Sequence, residues 1–219
     1  ITQINIFVGT VIASGADSAI AIISNADRLY QLPLGIIGIA IGTVLLPELS
    51  RHLGAGREVE ARASQSQSLL LAMLFSLPAA AALIAISVPI VRVLFERGQF
   101  DALATEAVAE TLVAFAVGLP AFVLIRVLQP GYFSRKDTRT PTIFAGLSVV
   151  VNIAVSLLLF PSLAHVGIAL ATSISAWINV ACLAFFLARR GHFAMTRREL
   201  RQHGLLLLAS AIMGVTLFV

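Results

Sequence analysis

Two stretches of this 219-residue chain contain no Asp, Glu, Lys or Arg: residues 63–91 and 140–188. A bilayer core of roughly 30 Å is crossed by about 20 apolar helical residues, so the first stretch is long enough for one crossing. As a single helix the second would be about 74 Å long. It therefore reads as two crossings joined by a turn, and residues 161–167 (PSLAHVG) provide turn-forming side chains. The composition agrees: 58% of residues are hydrophobic and 12% charged, against about 25% charged in soluble domains.

The fold expected is all-α, a polytopic transmembrane helix bundle. Seven apolar segments are placed at 1–14, 18–46, 69–95, 103–129, 142–160, 166–188 and 204–219. Barrel strands are excluded by segment length and by the lack of period-2 alternation. Residues 1–14 carry no basic n-region and no small-residue cleavage site, unlike a signal peptide. Both ends of the chain stop inside apolar runs, as expected of a piece cut from a longer protein. Residues 1–190 read as one bundle of about six helices, the first truncated. Residues 191–219 read as a linker and the start of a further transmembrane helix.

Basic residues are distributed unevenly among the connections. Eleven of the fifteen Lys and Arg fall in the second, fourth and sixth loops (48–66, 130–141 and 189–203), whereas the odd loops hold Arg97 alone. Cytoplasmic loops collect Lys and Arg, so the even loops are expected on the cytoplasmic side. The pI near 10.2 then reflects an anionic membrane surface rather than nucleic acid. Residues 48–66 are polar and read as a solvated loop or a helix lying along the interface.

Catalytic chemistry is not indicated. Cys182 is the lone cysteine, the four histidines are scattered over different loops, and no nucleophile elbow or phosphate-binding loop occurs. The chain is not expected to be an enzyme or to hold a cofactor or metal.

The unusual residues lie in the second segment. Arg28 is about ten residues in from its outer end, roughly 15 Å deep and close to the membrane midplane. An unpaired arginine there costs at least ~2.5–3.5 kcal/mol. It must either face a water-filled cavity, where its planar fork suits an anionic phosphate group, or pair with an acid on another helix. Asp27 either joins it in binding or orients it. Pro33, which frees the carbonyl of Leu29, and Gly35, Gly38 and Gly42 at helical spacing permit a kink and close helix contact. Arg92 and Arg126 lie near segment ends and read as snorkelling side chains. Glu106 and Glu110 read as a solvated face or the mouth of a cavity. Asn152 and Ser156 share a helix face that Thr172 can approach; the three either bond the helices together or hold a monovalent cation.

The stretches ADRLYQLPLGIIGIAIGTVLLPELS at 26–50 and QPGYFSRKDTRTP at 129–141 resemble signature regions of the MurJ (MviN) family of lipid II flippases, and the resemblance extends over the whole chain. It implies the multidrug/oligosaccharidyl-lipid/polysaccharide exporter superfamily, with two six-helix lobes and two further helices. This chain would be the second lobe and the start of the lipid-tail groove. The resemblance further implies alternating access, with lipid II as substrate, and surrounding lipids and cell-wall synthesis or division proteins as partners. It places the molecule in the bacterial cytoplasmic membrane, with Arg28 in a central cationic cavity and Pro33, Gly35, Gly38 and Gly42 permitting its bending. Some members carry an acid where Gln31 stands and a carboxylate cation site on the helices of Asn152 and Thr172. The driver is therefore the membrane potential or a monovalent cation gradient. The remaining cavity arginines belong to the first lobe, so this segment alone is not expected to transport. The rival readings are an exporter of drugs or of other lipid-linked saccharides, and a non-transporting scaffold.

Overall fold

A computed structural model describes residues 19–98, 100–193 and 196–218; the apolar segment expected at 1–14 lies outside them. Six helices follow one another: α1 (Ala19–Gly54), α2 (Glu58–Ala85), α3 (Ser87–Phe95), α4 (Ala102–Phe133), α5 (Arg139–Arg189) and α6 (Arg197–Phe218). All except α3 are long and apolar enough to cross a membrane, as a bilayer requires of segments that must satisfy their own backbone hydrogen bonds. The all-α polytopic bundle read from the sequence is the fold observed.

Helix α4 is the centre of the bundle, packing against α1, α2, α3 and α5. It starts at Asp101, whose carboxylate caps the free N–H of Ala104 at 2.9 Å. Small residues let its neighbours approach closely. At Gly118 an added Cβ would lie 2.9 Å from the Cα of Ser173 on α5. Beside this crossing the Ser173 hydroxyl donates to the Ala114 carbonyl (2.7 Å) and the Trp177 indole donates to the Val117 carbonyl (3.1 Å).

Three segment boundaries differ from the sequence reading. Residues 48–66 are not a loop or an interfacial helix: α1 runs on to Gly54 and α2 begins at Glu58, leaving a turn of only three residues. Gly56, at φ +71°, closes α1 with hydrogen bonds from Arg57 N–H to the His52 carbonyl and from Gly56 N–H to the Leu53 carbonyl, the Schellman arrangement. The Ser64 hydroxyl donates to Glu48 across the two helix ends. Polarity marked where the helices leave the apolar layer, not where they stop. The third segment, 69–95, is broken at Ile86, because Pro89 clashes with a helical carbonyl at Ala85. The fourth runs past 129 to Phe133, with Pro130 inside it. The turn expected at 161–167 is present as a sharp kink at Ala164 (φ 44°, ψ −124°) that folds α5 into two arms.

The three basic connections gather at one end of the bundle. Residues 135–137 and 190–192 repeat the turn of residues 55–57: Lys136 (φ 61°) and Gly191 (φ 71°) are left-handed and close α4 and α5 with the same pair of backbone bonds. Glu58, in the first turn of α2, binds Arg135 at 2.6 Å and His192 at 3.1 Å, tying all three turns together. Tyr132, buried, donates to the Leu183 carbonyl at 2.6 Å. The 129–141 motif is therefore a structural clasp. Helix α6 leaves this end through a capping box in which Thr196 and Glu199 satisfy one another's backbone N–H groups, and packs on α2.

At the centre of the clasp, Asp137 accepts from the Thr140 hydroxyl and amide (2.7 and 3.0 Å) and pairs with Arg190 (2.5 Å). The Thr140 bonds foremost, with Arg190, hold its carboxyl down at about 2. An unfolded Asp titrates near 3.9, so the resulting stabilisation is complete above that pH and is lost as pH falls through about 2. Asp137→Asn in the full-length protein is expected to lose about 1–2 kcal/mol at pH 7, read by thermal unfolding in detergent, and the gap to wild type should close below pH 4. Gly118→Leu, which forces α4 from α5, is expected to cost about 2 kcal/mol or more and to lower membrane abundance.

Candidate substrate site

One stripe of α1 is buried in the bundle: Ala26, Leu29, Tyr30, Leu34, Gly38, Leu45 and Leu49. The Tyr30 ring is held by two rings of α4, 4.8 Å from Phe115 and 5.4 Å from Phe122. Stacking at this separation adds about 0.5–1.5 kcal/mol to the burial of each ring and sets the rotation of α1 about its axis. With Tyr30 turned inward, Ser24, Arg28, Gln31, Leu32 and Ile39 are turned out of the bundle and are exposed. Arg28 makes no hydrogen bond or ion pair among the described residues. Its charge is thus aimed away from this bundle, on a helix long and apolar enough to cross a membrane.

Asp27 does not pair with Arg28. Its carboxylate accepts from the side-chain amide of Gln31, one turn on, because neighbours in sequence diverge by 100° on a helix while residues four apart align. Gln31 and Arg28 share the exposed face, giving a ledge with one cation and two amide or carboxylate groups.

The three glycines following Pro33 have different surroundings. Gly35 and Gly42 have no atom of another group within 4 Å of the place a Cβ would occupy, so their surfaces lie open along the Arg28 side of α1. Gly38 is covered: a Cβ there would meet Arg126 of α4, with Cδ at 2.5 Å and Nη1 at 2.8 Å. Arg126 is not the snorkelling side chain near a helix end that the sequence suggests, since α4 continues for seven residues beyond it. The two arms of α5 bring Asn152, Ser156 and Thr172 together as anticipated. The Asn152 amide donates to Thr172 at 3.0 Å and to Ser175 at 3.4 Å, and Ser156 faces its carbonyl oxygen at 3.5 Å. Thr172 and Ser175 donate onward to backbone carbonyls, a network whose donors are satisfied internally. Arg92 pairs with Glu96 at 3.3 Å. Among the described residues, no three of His, Cys, Asp and Glu form a metal-binding group. Ser175 and the Gly38–Arg126 contact were not legible in the sequence, since helix register alone does not say which faces of α1, α4 and α5 meet.

Comparison with known proteins supplies a context for this ledge. The family described as Lipid II flippase MurJ matches residues 1–219. A probable lipid II flippase MurJ of Rhizobium meliloti is 50% identical over 219 residues, covering all of this chain and 41% of the relative. A lipid II flippase MurJ of Burkholderia cenocepacia is 33% identical over 194 residues, covering 87% of this chain and 37% of the relative. This chain thus spans about two fifths of the length of such relatives. Its fold superposes on a lipid II flippase MurJ in an inward closed conformation with a TM-score of 0.85 at 28% identity, covering 98% of this chain and 44% of that one. An inward-facing multidrug transporter of the MATE family shares the fold at a TM-score of 0.65 and 18% identity, covering 99% of this chain and 52% of that one.

Removing the α5 cross-link should be felt locally. Asn152→Ala in the full-length protein is expected to lower stability by about 0.5–2 kcal/mol, the range of interhelical hydrogen bonds in membranes, as measured by the detergent-solubilised melting temperature.

Proposed function

The chain belongs to the lipid II flippase MurJ family, and from that premise we propose that the complete protein moves lipid II from the cytoplasmic to the periplasmic leaflet of the bacterial cytoplasmic membrane. The observation that carries this reading is Arg28, exposed on a membrane-spanning helix and without a partner among the described residues. Such a charge is tolerated where it meets water or an anion. The diphosphate of lipid II is an anion of matching geometry, since a guanidinium donates two parallel hydrogen bonds to phosphate oxygens and stays charged.

In this reading the segment is the second lobe of an alternating-access transporter, and the exposed Arg28 face of α1 lines a cationic cavity shared with the first lobe. Asp27, held by Gln31, shapes the ledge on which the headgroup rests. Pro33, with Gly35, Gly38 and Gly42, allows α1 to bend between inward-open and outward-open states. The basic end of the bundle faces the cytoplasm, following the positive-inside rule. The membrane potential or a monovalent cation gradient drives the cycle. The α5 arms contribute Asn152, Ser156 and Thr172 as oxygen donors without a carboxylate, which favours the potential. Activity is transport, not catalysis, and requires the first lobe.

The test uses the full-length protein as the sole flippase in cells depleted of their own. Wild type is expected to restore outward exposure of lipid II, and Arg28→Ala at equal membrane abundance to reduce it tenfold or more, about 1.4 kcal/mol. Arg28→Ala exposure equal to wild type would remove the role of Arg28.

A further inference from the structure

Gly38 is buried although it has no side chain of its own; what covers it is the side chain of Arg126. A Cβ at Gly38 would fall 2.5 Å from Cδ, 2.8 Å from Nη1 and 3.1 Å from Nε of that arginine. Any residue larger than glycine would therefore displace the guanidinium from the surface of α1. Arg126 is nonetheless exposed and, among the described residues, has no ion pair and no hydrogen bond. The guanidinium itself lies on the glycine, with no anionic partner among the described residues.

The position of that charge matters. Arg126 stands seven residues before the end of α4, roughly 10 Å inside it, which is further than a terminal snorkelling residue requires. At about 100° per residue Gly38 falls on the same line of α1 as Asp27, eleven residues before it, and Gln31, seven before it. Arg126 is thus turned toward the side of α1 that carries the Asp27–Gln31 ledge, not outward behind α4. Gly38 is ten residues on from Arg28, about 15 Å further along α1 toward the basic end. The Arg126 guanidinium, lying on Gly38, therefore stands nearer the basic end than the backbone of Arg28, and the two arginines are offered one after the other along α1.

We propose that Arg126, seated on Gly38, is a second binding station for the phosphate-bearing headgroup, nearer the basic end of the cavity than Arg28. The assignment rests on the transport reading above. An anion entering from the basic end meets Arg126 first and is handed to Arg28. Gly38 is a positioning residue that acts through Arg126 by leaving room for its guanidinium.

The test is a double-mutant cycle in the full-length protein, read as outward-exposed lipid II at matched membrane abundance. Arg126→Gln should lower exposure about tenfold and Arg126→Lys should retain most of it. Gly38→Ala should match Arg126→Gln, because only a flexible side chain stands in the way of the added methyl. Residues acting through one another are non-additive, so Gly38→Ala combined with Arg126→Gln should be no worse than Arg126→Gln alone. Wild-type exposure in Arg126→Gln, with Arg28→Ala defective, would overturn the second station and leave the transport reading standing. Additive losses would overturn the seat and assign Gly38 to the bending of α1. Failure of the wild type itself to expose lipid II would overturn the transport reading and the station together.

Discussion

The architecture depends on how closely other helices can approach α4. Lipid tails are as apolar as the side chains they would replace, so helices in a bilayer associate through packing and interhelical hydrogen bonds rather than through exclusion of water. Helix α4 meets this requirement with glycine and alanine at its contacts. Gly118 lets the backbone of α5 come within contact of its own, and Ser173 and Trp177 then bond to α4 carbonyls. With α4 packed on α1, α2, α3 and α5, the rest of the lobe is referred to one axis.

The orientation of Arg28 follows from that axis. Phe115 and Phe122 of α4 hold Tyr30 between them, and a helix pinned at one residue presents its other faces at fixed angles. Arg28 is exposed because Tyr30, two residues away, is buried. The same helix pair places Gly38 beneath Arg126. A contact made for packing therefore determines where two cations stand.

At the basic end a different chemistry applies. Three turns use the same left-handed closure at Gly56, Lys136 and Gly191, and Glu58 draws Arg135 and His192 to a common point. These interactions involve charged groups that are partly exposed and bind one end of the bundle into a unit. At the opposite end the α5 turn passes through an unusual backbone conformation at Ala164.

Long charge-free runs determined by themselves that the chain is helical and crosses a membrane, because hydrocarbon admits no other backbone arrangement for segments of that length. The turn at 161–167 and the kinship of the 26–50 and 129–141 stretches were equally legible, each being a local pattern. Helix ends were less so: the polar residues 48–66 marked the edge of the apolar layer, whereas the helices continued through it until Gly56 stopped the first. Only the tertiary structure decided that Gly38 seats Arg126 while Gly35 and Gly42 stay open, and that Asn152 reaches Ser175. Those outcomes depend on which faces of separate helices meet, and in an apolar solvent many faces are nearly equal in hydrophobicity. The choice among them falls to shape and hydrogen bonding, which are properties of pairs of helices and not of either sequence alone.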